Sequence, residues 1–333
     1  MKRMIAVALG IALMLTGCYD ARELDERDFV QLVGLDWSEK GYQVTLAIGD
    51  AAGDLFLRHG EGENLVAALA DPDTRQSKTV DYGHTRTLVL GQGLMAQRES
   101  WQQAAEVFLR DGTFSLKTYV TASPGSAREV LEAVAAGNTG DIYSFYENNQ
   151  GDWETTFPVY LKDWEKAMTG GESLVLPLAQ AGEDGVMLAG AAAAGKDGLL
   201  GYLTAEETAG LTWCGKRGGG RVLSSSVGAV RITGRQCTAE ETQDGWIFRI
   251  QAEGQVEEAQ ERNFADPLAE RSFLTAMETE LTDQVQQGLT ALQNLGMEEV
   301  KGKKIEIKID LRFTSTGMAV SPEGYTAYEV RKE

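Results

Sequence analysis

The sequence predicts an α+β protein of mixed α/β character, with two or three domains in which mixed or antiparallel sheets are packed by helices. Three observations lead to this fold class. An antiparallel hairpin is expected at 29–48, and strands and helices alternate over 86–136. A long amphipathic helix begins near Pro267, and its apolar stripe is expected to face a core. Residues 303–311 then alternate between apolar and charged, which predicts a half-exposed strand packed on that helix.

The other elements follow from caps, turn residues and hydrophobic periodicity. Asn64 and Ser100 are typical N-caps, and Thr204 forms a capping box with Glu207 three positions later. Residues 49–62 hold several glycines and no hydrophobic period, so they are expected to form a loop. The remaining expected elements are helices at 64–70, 100–110, 126–136, 157–168 and 204–214, and strands at 86–91, 116–122, 174–178, 186–194, 199–203, 222–234 and 246–256.

The N-terminus has the pattern of a bacterial lipoprotein signal. A basic pair at 2–3 precedes the uncharged apolar run 4–15, and small residues then lead to Cys18 in the sequence Leu-Thr-Gly-Cys. The run is shorter than the roughly 20 apolar residues that a membrane span requires, which disfavours a plain transmembrane anchor. An ordinary secretory signal with a chance cysteine is the other alternative. We therefore expect residues 1–17 to be removed and Cys18 to be lipidated, with acyl chains that hold the protein on the outer face of a membrane.

The charge of the chain limits its partners. The 333 residues include 31 Lys and Arg against 50 Asp and Glu, for a net charge of −19. Removal of Lys2 and Arg3 with the signal leaves 29 basic residues against 50 acidic ones, a net charge of −21. Because phosphate binding depends on Lys and Arg, a chain this acidic is not expected to bind nucleic acid non-specifically.

Two cysteines remain after Cys18, at Cys214 and Cys237. A disulfide between them is permitted outside the cytoplasm, although the sequence does not decide whether they pair. Neither lies in a CxxC motif or near a histidine, so a zinc site is not expected.

The sequence offers no catalytic motif. It contains no GxSxG, HExxH, P-loop or EF-hand pattern. The two histidines are His59 and His84, and His84 is expected to be structural because no partner for general-base chemistry is evident. No catalytic residue, cofactor or metal site is predicted. Helical spacing of four aromatic residues predicts a core face rather than a ligand platform. These residues are Trp153, Phe157, Tyr160 and Trp164.

Several stretches, in order and at consistent spacing, resemble the Ger(x)C family of lipoprotein C subunits of spore germinant receptors. The likeness covers residues 15 to about 300. Tyr19 stands where the family usually has Trp, and Asp25 where it usually has Asn. The chain also passes almost directly from the long helix to its last strand, so the C-terminal domain is shorter than is usual in the family. The matching stretches are Cys18–Asp25, Val33–Asp36, His84–Gly91, Arg110–Asp111, Arg128–Leu131 and Gly201–Trp213.

The resemblance implies a non-enzymatic lipoprotein on the outer face of the inner spore membrane, in which only Cys18 is a functional position. Its expected partners are a multispanning transporter-like subunit and a second membrane subunit, in nutrient-triggered germination. The sequence itself places the domain boundary at 179–185, and the resemblance implies an N-terminal domain at 18–180 and a C-terminal domain at 185–333. A substrate-binding lipoprotein of a transporter and a lipid-anchored envelope enzyme remain the alternatives.

Overall fold

Two sheets organise the chain in this computed structural model, which describes residues 26–50, 53–75, 78–137, 142–148, 154–183, 185–215, 217–218, 220–259 and 267–315. The helices are α1 Leu65–Ala70, α2 Gln92–Met95, α3 Arg98–Arg110, α4 Ala127–Ala136, α5 Ile142–Asn148, α6 Leu161–Gly170, α7 Ala205–Thr212 and α8 Pro267–Asn294. The strands are β1 Arg27–Ser38, β2 Gly41–Gly49, β3 Leu55–Gly62, β4 Thr79–Asp81, β5 Thr87–Leu90, β6 Tyr119–Ala122, β7 Leu174–Gly182, β8 Gly185–Gly195, β9 Gly198–Leu203, β10 Arg217–Gly218, β11 Val222–Ser225, β12 Gly228–Glu241, β13 Gly245–Ala259 and β14 Lys304–Ser315.

The first sheet has nine strands in the order β3-β2-β1-β5-β6-β7-β8-β9, with β4 paired to β1. Strands β1, β5, β6 and β7 run parallel, whereas the hairpins at both ends of the sheet are antiparallel. Helices α1, α2, α3 and α6 cover one face, and α4 and α5 cover the other. Because both faces are covered, the central strand β1 is buried on both sides over Leu32–Leu35.

The second sheet has the order β10-β12-β13-β14, with β11 paired to β12. Helix α8 covers one face of this sheet, and charged side chains alternate along the other. The predicted long helix and the strand after it are therefore confirmed. The buried residues of α8 recur at three- and four-residue steps and include Phe273, Met277, Leu281, Val285, Leu289 and Leu292.

Two expectations for the region before residue 111 are wrong. Residues 55–62 form strand β3, which pairs with β2, rather than a loop. The glycines of this segment are explained by contact with α1. A β-carbon on Gly60 would lie 2.3 Å from the Ala68 carbonyl oxygen, and one on Gly62 would lie 2.5 Å from the Ala68 amide nitrogen. Helix α3 begins at Arg98, and Ser100 lies buried in its first turn instead of capping it. Residues 142–148, for which no element was expected, form helix α5.

The aromatic stripe is helical only from Leu161, where α6 begins after the N-cap Tyr160. Trp164 confirms the predicted core role, since it is fully buried 4.9 Å from the ring of Trp101. Trp153 lies outside the described residues.

The expected domain boundary at 179–185 falls at the end of β7 and the turn that leads to β8. These strands pair antiparallel on both sides of the turn. Strands β8 and β9 therefore belong by hydrogen bonding to the nine-stranded sheet, although they follow the expected boundary in sequence. The mixed α/β fold class is confirmed.

Candidate functional site at the sheet junction

The two sheets meet where α7 and the C-terminal half of α8 pack against β8 and β9. The small side chains of Ala191 and Ala193 on β8 allow the C-terminal half of α8 to pack closely against the sheet. The apolar cluster that joins the two parts contains Ala191, Ala193, Leu203, Ala291, Leu292, Met297 and Val300. Close packing of apolar side chains resists relative movement of the packed residues, so the junction restricts movement of one sheet relative to the other.

Helix α7 begins with the predicted capping box. The Thr204 hydroxyl accepts a hydrogen bond from the Glu207 amide at 3.2 Å, and the Glu207 carboxylate accepts one from the Thr204 amide at 2.8 Å. Both bonds satisfy amides that a helix start otherwise leaves without partners. They fix the point at which the chain leaves the first sheet.

Gly210 brings α7 into backbone contact with α8. A β-carbon at this position would lie 2.0 Å from the Gln284 carbonyl oxygen, closer than any side chain tolerates. The glycine of the family-like stretch Gly201–Trp213 thus has a packing role.

Trp213, directly after α7, anchors the junction. Its ring is fully buried, and its indole Nε1 donates to the Gln284 Oε1 at 3.0 Å. The Arg221 guanidinium carbon lies 3.7 Å from the ring centroid, within cation–π range. Helix α8, the indole and Arg221 therefore form one stack.

Arg221 and Arg235 are both buried beside this indole. Arg221 donates to the Ala209 carbonyl at 3.2 Å and the Thr212 hydroxyl at 2.7 Å. Within the described part of the chain, neither guanidinium has a carboxylate at ion-pair distance. Burial lowers the pKa of Arg221 to about 10, so it stays charged at neutral pH. The Ala209 carbonyl oxygen, the Thr212 hydroxyl and the face of the Trp213 ring thus stabilise the positive charge of Arg221.

Cys214 and Cys237 meet at the same place. Both carry free thiols, and the two thiols interact with each other. The Arg235 Nη1 donates to the carbonyls of Trp213 and Gly215, at 3.1 and 3.4 Å, on either side of Cys214. The hydrogen bond from Cys214, with a smaller contribution from Arg235, lowers the pKa of Cys237. The hydrogen bond to Cys237, followed by burial, raises the pKa of Cys214.

Asp36 is a half-buried carboxylate to which the sequence pattern assigned no role. Its Oδ1 accepts from the Ala127 amide at 2.8 Å and its Oδ2 from the Arg128 amide at 3.0 Å, which holds the start of α4 against β1. Burial raises the pKa of Asp36, and the two hydrogen bonds oppose that shift. An acid directly after the buried run Leu32–Leu35 is the sequence signal that could have indicated it.

A buried carboxylate lies at the start of β1. Asp28 is buried and paired with Arg58 of β3, and Lys78 Nζ lies 3.9 Å from its Oδ1. This ion pair joins the start of β1 to the edge strand β3. It lies near the N-terminal end of the described residues. Cys18 lies outside them.

The histidines take part in no evident catalytic group. His84 packs edge-on against Phe29 at 4.7 Å between ring centroids, and His59 Nδ1 lies 3.2 Å from the Thr45 hydroxyl. Burial lowers the pKa of His59. The described residues contain no group of three or more His, Cys, Asp or Glu placed to hold a metal ion. No helix among them combines the length and the apolar character needed to cross a membrane.

Comparison with known proteins places the chain in a class. Residues 20–181 match the family model of the spore germination protein N-terminal domain. The crystal structure of the GerBC protein is similar in fold, with a TM-score of 0.51 and 17% identity over 90% of this chain and 100% of that chain. The fold is thus similar to that of the GerBC protein. Over residues 20–181 the chain therefore resembles the N-terminal domain of spore germination proteins.

Two relatives from Bacillus subtilis (strain 168) are also similar. Spore germination protein A3 is 22% identical over 190 residues, which cover 53% of this chain and 51% of that protein. The putative spore germination protein YfkR is 25% identical over 136 residues, or 36% of this chain and 35% of that protein. The matches therefore span about half of the first relative and about a third of the second.

Proposed function

We propose that the chain is the lipid-anchored C-type subunit of a spore germinant receptor. It acts in nutrient-triggered germination by contact with integral membrane subunits rather than by catalysis, on the outer face of the inner spore membrane. The observation that carries this proposal is the order of two sequence features. The family match begins at residue 20, two positions after the lipobox cysteine at Cys18.

The distance from the anchor supports contact with a membrane partner. Strand β1 begins at Arg27, nine residues after Cys18. Because an extended chain covers at most about 3.3–3.6 Å per residue, the start of β1 stays within about 30 Å of the lipidated residue. The first sheet is then held where an integral subunit is within reach, and the junction passes constraints from that sheet to the second one.

The alternative, a substrate-binding lipoprotein of a transporter, fits the architecture less well. That class usually has two similar α/β lobes crossed by a hinge. Here a nine-stranded sheet with helices on both faces adjoins a five-stranded sheet with one long helix.

A deletion strain tests the proposal. Spores without the gene are expected to lose or slow their response to a nutrient that triggers wild-type spores, measured as the loss of optical density of the suspension. A copy of the gene in trans restores the response. Unchanged germination with every nutrient, together with loss of uptake of one solute by growing cells, would overturn the proposal and favour the transporter alternative.

A further inference from the structure

We infer that Cys214 and Cys237 form a disulfide in the mature protein, which fastens the end of α7 to β12 at the junction of the two sheets. The inference rests on the extracytoplasmic location in the proposed function, because a disulfide persists in an oxidising compartment.

The fold brings the two cysteines into one apolar cluster. Cys237 is buried in the core between β12 and α8, and Cys214 packs against the same core. Arg235, two residues before Cys237 on the same strand, holds the carbonyls on either side of Cys214. The fold thus places the two thiols close enough to interact, and proximity of the two cysteines is the first requirement for a disulfide.

The chemistry needs an oxidant, and the natural class is a protein thiol oxidoreductase that carries a reactive disulfide. Cys214 is the more exposed of the two cysteines, so its sulfur attacks the oxidant's disulfide and releases one oxidant thiolate. The thiolate of Cys237 then attacks the Cys214 sulfur in the mixed disulfide and releases the second oxidant thiolate. The two cysteines lose two electrons and two protons, and the oxidant becomes a dithiol.

The lowered pKa of Cys237 suits the second of these steps, because the thiolate is the attacking form. The Arg235 guanidinium beside it contributes to that shift. Cys214, whose pKa is raised, is the slower nucleophile, so the first attack is expected to limit the rate.

The bond would close a segment that is flexible in composition. Residues 215–236 lie between the two cysteines and contain Gly215, Gly218, Gly219, Gly220, Gly228 and Gly234. A cross-link over such a segment restricts the unfolded chain and so favours the folded state. The position of α7 relative to β12 would then be fixed by a covalent bond as well as by the Arg235 hydrogen bonds.

The purified full-length chain tests the chemistry directly. A Cys18→Ala background leaves only the two junction cysteines, and maleimide labelling after denaturation counts their free thiols. After equilibration with oxidised glutathione we expect no reactive thiol, and two after reduction. We expect thermal unfolding about 5 °C higher in the oxidised form, with no effect of reductant on a Cys214→Ser/Cys237→Ser control. Two reactive thiols after oxidation would overturn the inference.

Protein recovered from spores separates this inference from the proposed function. Alkylation in denaturant, after an acid quench that stops thiol exchange during lysis, is expected to leave Cys214 and Cys237 unmodified, because they are already paired. If the purified chain forms the bond but the spore protein is alkylated at both positions, the outer-face location is contradicted. If the purified chain fails to form the bond while the spore protein is membrane-attached, the disulfide alone is wrong.

Discussion

Gly210 of α7 and Gly288 of α8 oppose each other where the two helices cross, and each leaves room for the backbone of the other helix. A β-carbon on Gly288 would lie 2.5 Å from the Glu207 carbonyl oxygen and 2.9 Å from the Leu211 amide nitrogen. The approach is thus closed from both sides by main-chain atoms, which cannot rotate away as a side chain does. The helices therefore have one available separation.

We predict that Gly210→Ala destabilises the protein by about 1–3 kcal/mol, because the added methyl group forces α7 away from α8. Chemical denaturation followed by circular dichroism measures the change. Gly234→Ala is the matched control, since a β-carbon there meets nothing within 4 Å, and its effect should stay within about 0.5 kcal/mol. Equal effects of the two substitutions would contradict the close crossing.

The hydrogen bond from Trp213 to Gln284 predicts a second effect at the junction. Gln284→Leu keeps most of the side-chain volume but leaves the buried indole N–H without its acceptor, which costs about 1–3 kcal/mol. Gln286→Leu on the exposed side of the same helix is the control and should change the free energy of unfolding by no more than about 0.5 kcal/mol. A neutral Gln284→Leu would show that the indole finds another acceptor.

The buried pair of Asp28 and Arg58 predicts a large effect at the start of β1. Asp28→Asn leaves Arg58, whose side chain is 11% exposed, without its carboxylate, and removal of one partner of a buried pair costs about 3–5 kcal/mol. The exposed pair of Arg231 and Glu257 gives the comparison, and Glu257→Gln should cost at most about 1 kcal/mol. Similar losses at both sites would contradict the distinction in burial.

Asp36 predicts a pH dependence with a defined sign. Burial raises its pKa above the ordinary value of 3.8, so the folded chain holds this proton at pH values where the unfolded chain has released it. Stability due to this group is therefore lost as pH rises from about 3.8 through the raised value. The wild-type advantage over Asp36→Asn should shrink as pH rises from 4 to 7. Denaturation curves across that range measure it, and an advantage that grows with pH would contradict the raised pKa.

The sequence predicts the elements whose pattern is local. The stripe from Met277 to Leu292, the alternation in 303–311 and the Thr204 capping box each lie within one element, and each is confirmed. Strand β3 was missed because its glycines are selected by contact with α1, a tertiary neighbour that periodicity does not contain. Helix α3 begins at Arg98, two residues earlier than expected. Ser100 is buried in the first turn, where its carbonyl accepts a hydrogen bond from the Tyr42 hydroxyl at 2.9 Å, a tertiary contact that the sequence pattern does not contain.

The junction was beyond the reach of pattern reasoning for the same physical reason. Nothing in the sequence distinguishes Arg221 and Arg235 from surface cations. Only the fold shows the cation–π contact of Arg221 with Trp213 and the hydrogen bonds that both arginines donate to backbone carbonyls. The proximity of Cys214 and Cys237 likewise depends on how α7 lies against β12. The lipidation of Cys18, in contrast, is a prediction that needs only the sequence, because a processing signal is contiguous along the chain.

The most direct test of the central claim is a Cys18→Ala variant expressed in the spore-forming host, with Cys214→Ala as the control for loss of a cysteine. Membrane fractionation and nutrient-triggered loss of optical density are measured on the same spores. The account predicts that Cys18→Ala leaves the membrane fraction and germinates slowly, whereas Cys214→Ala remains attached. A Cys18→Ala protein that is absent from the membrane while the spores germinate at the wild-type rate would contradict it.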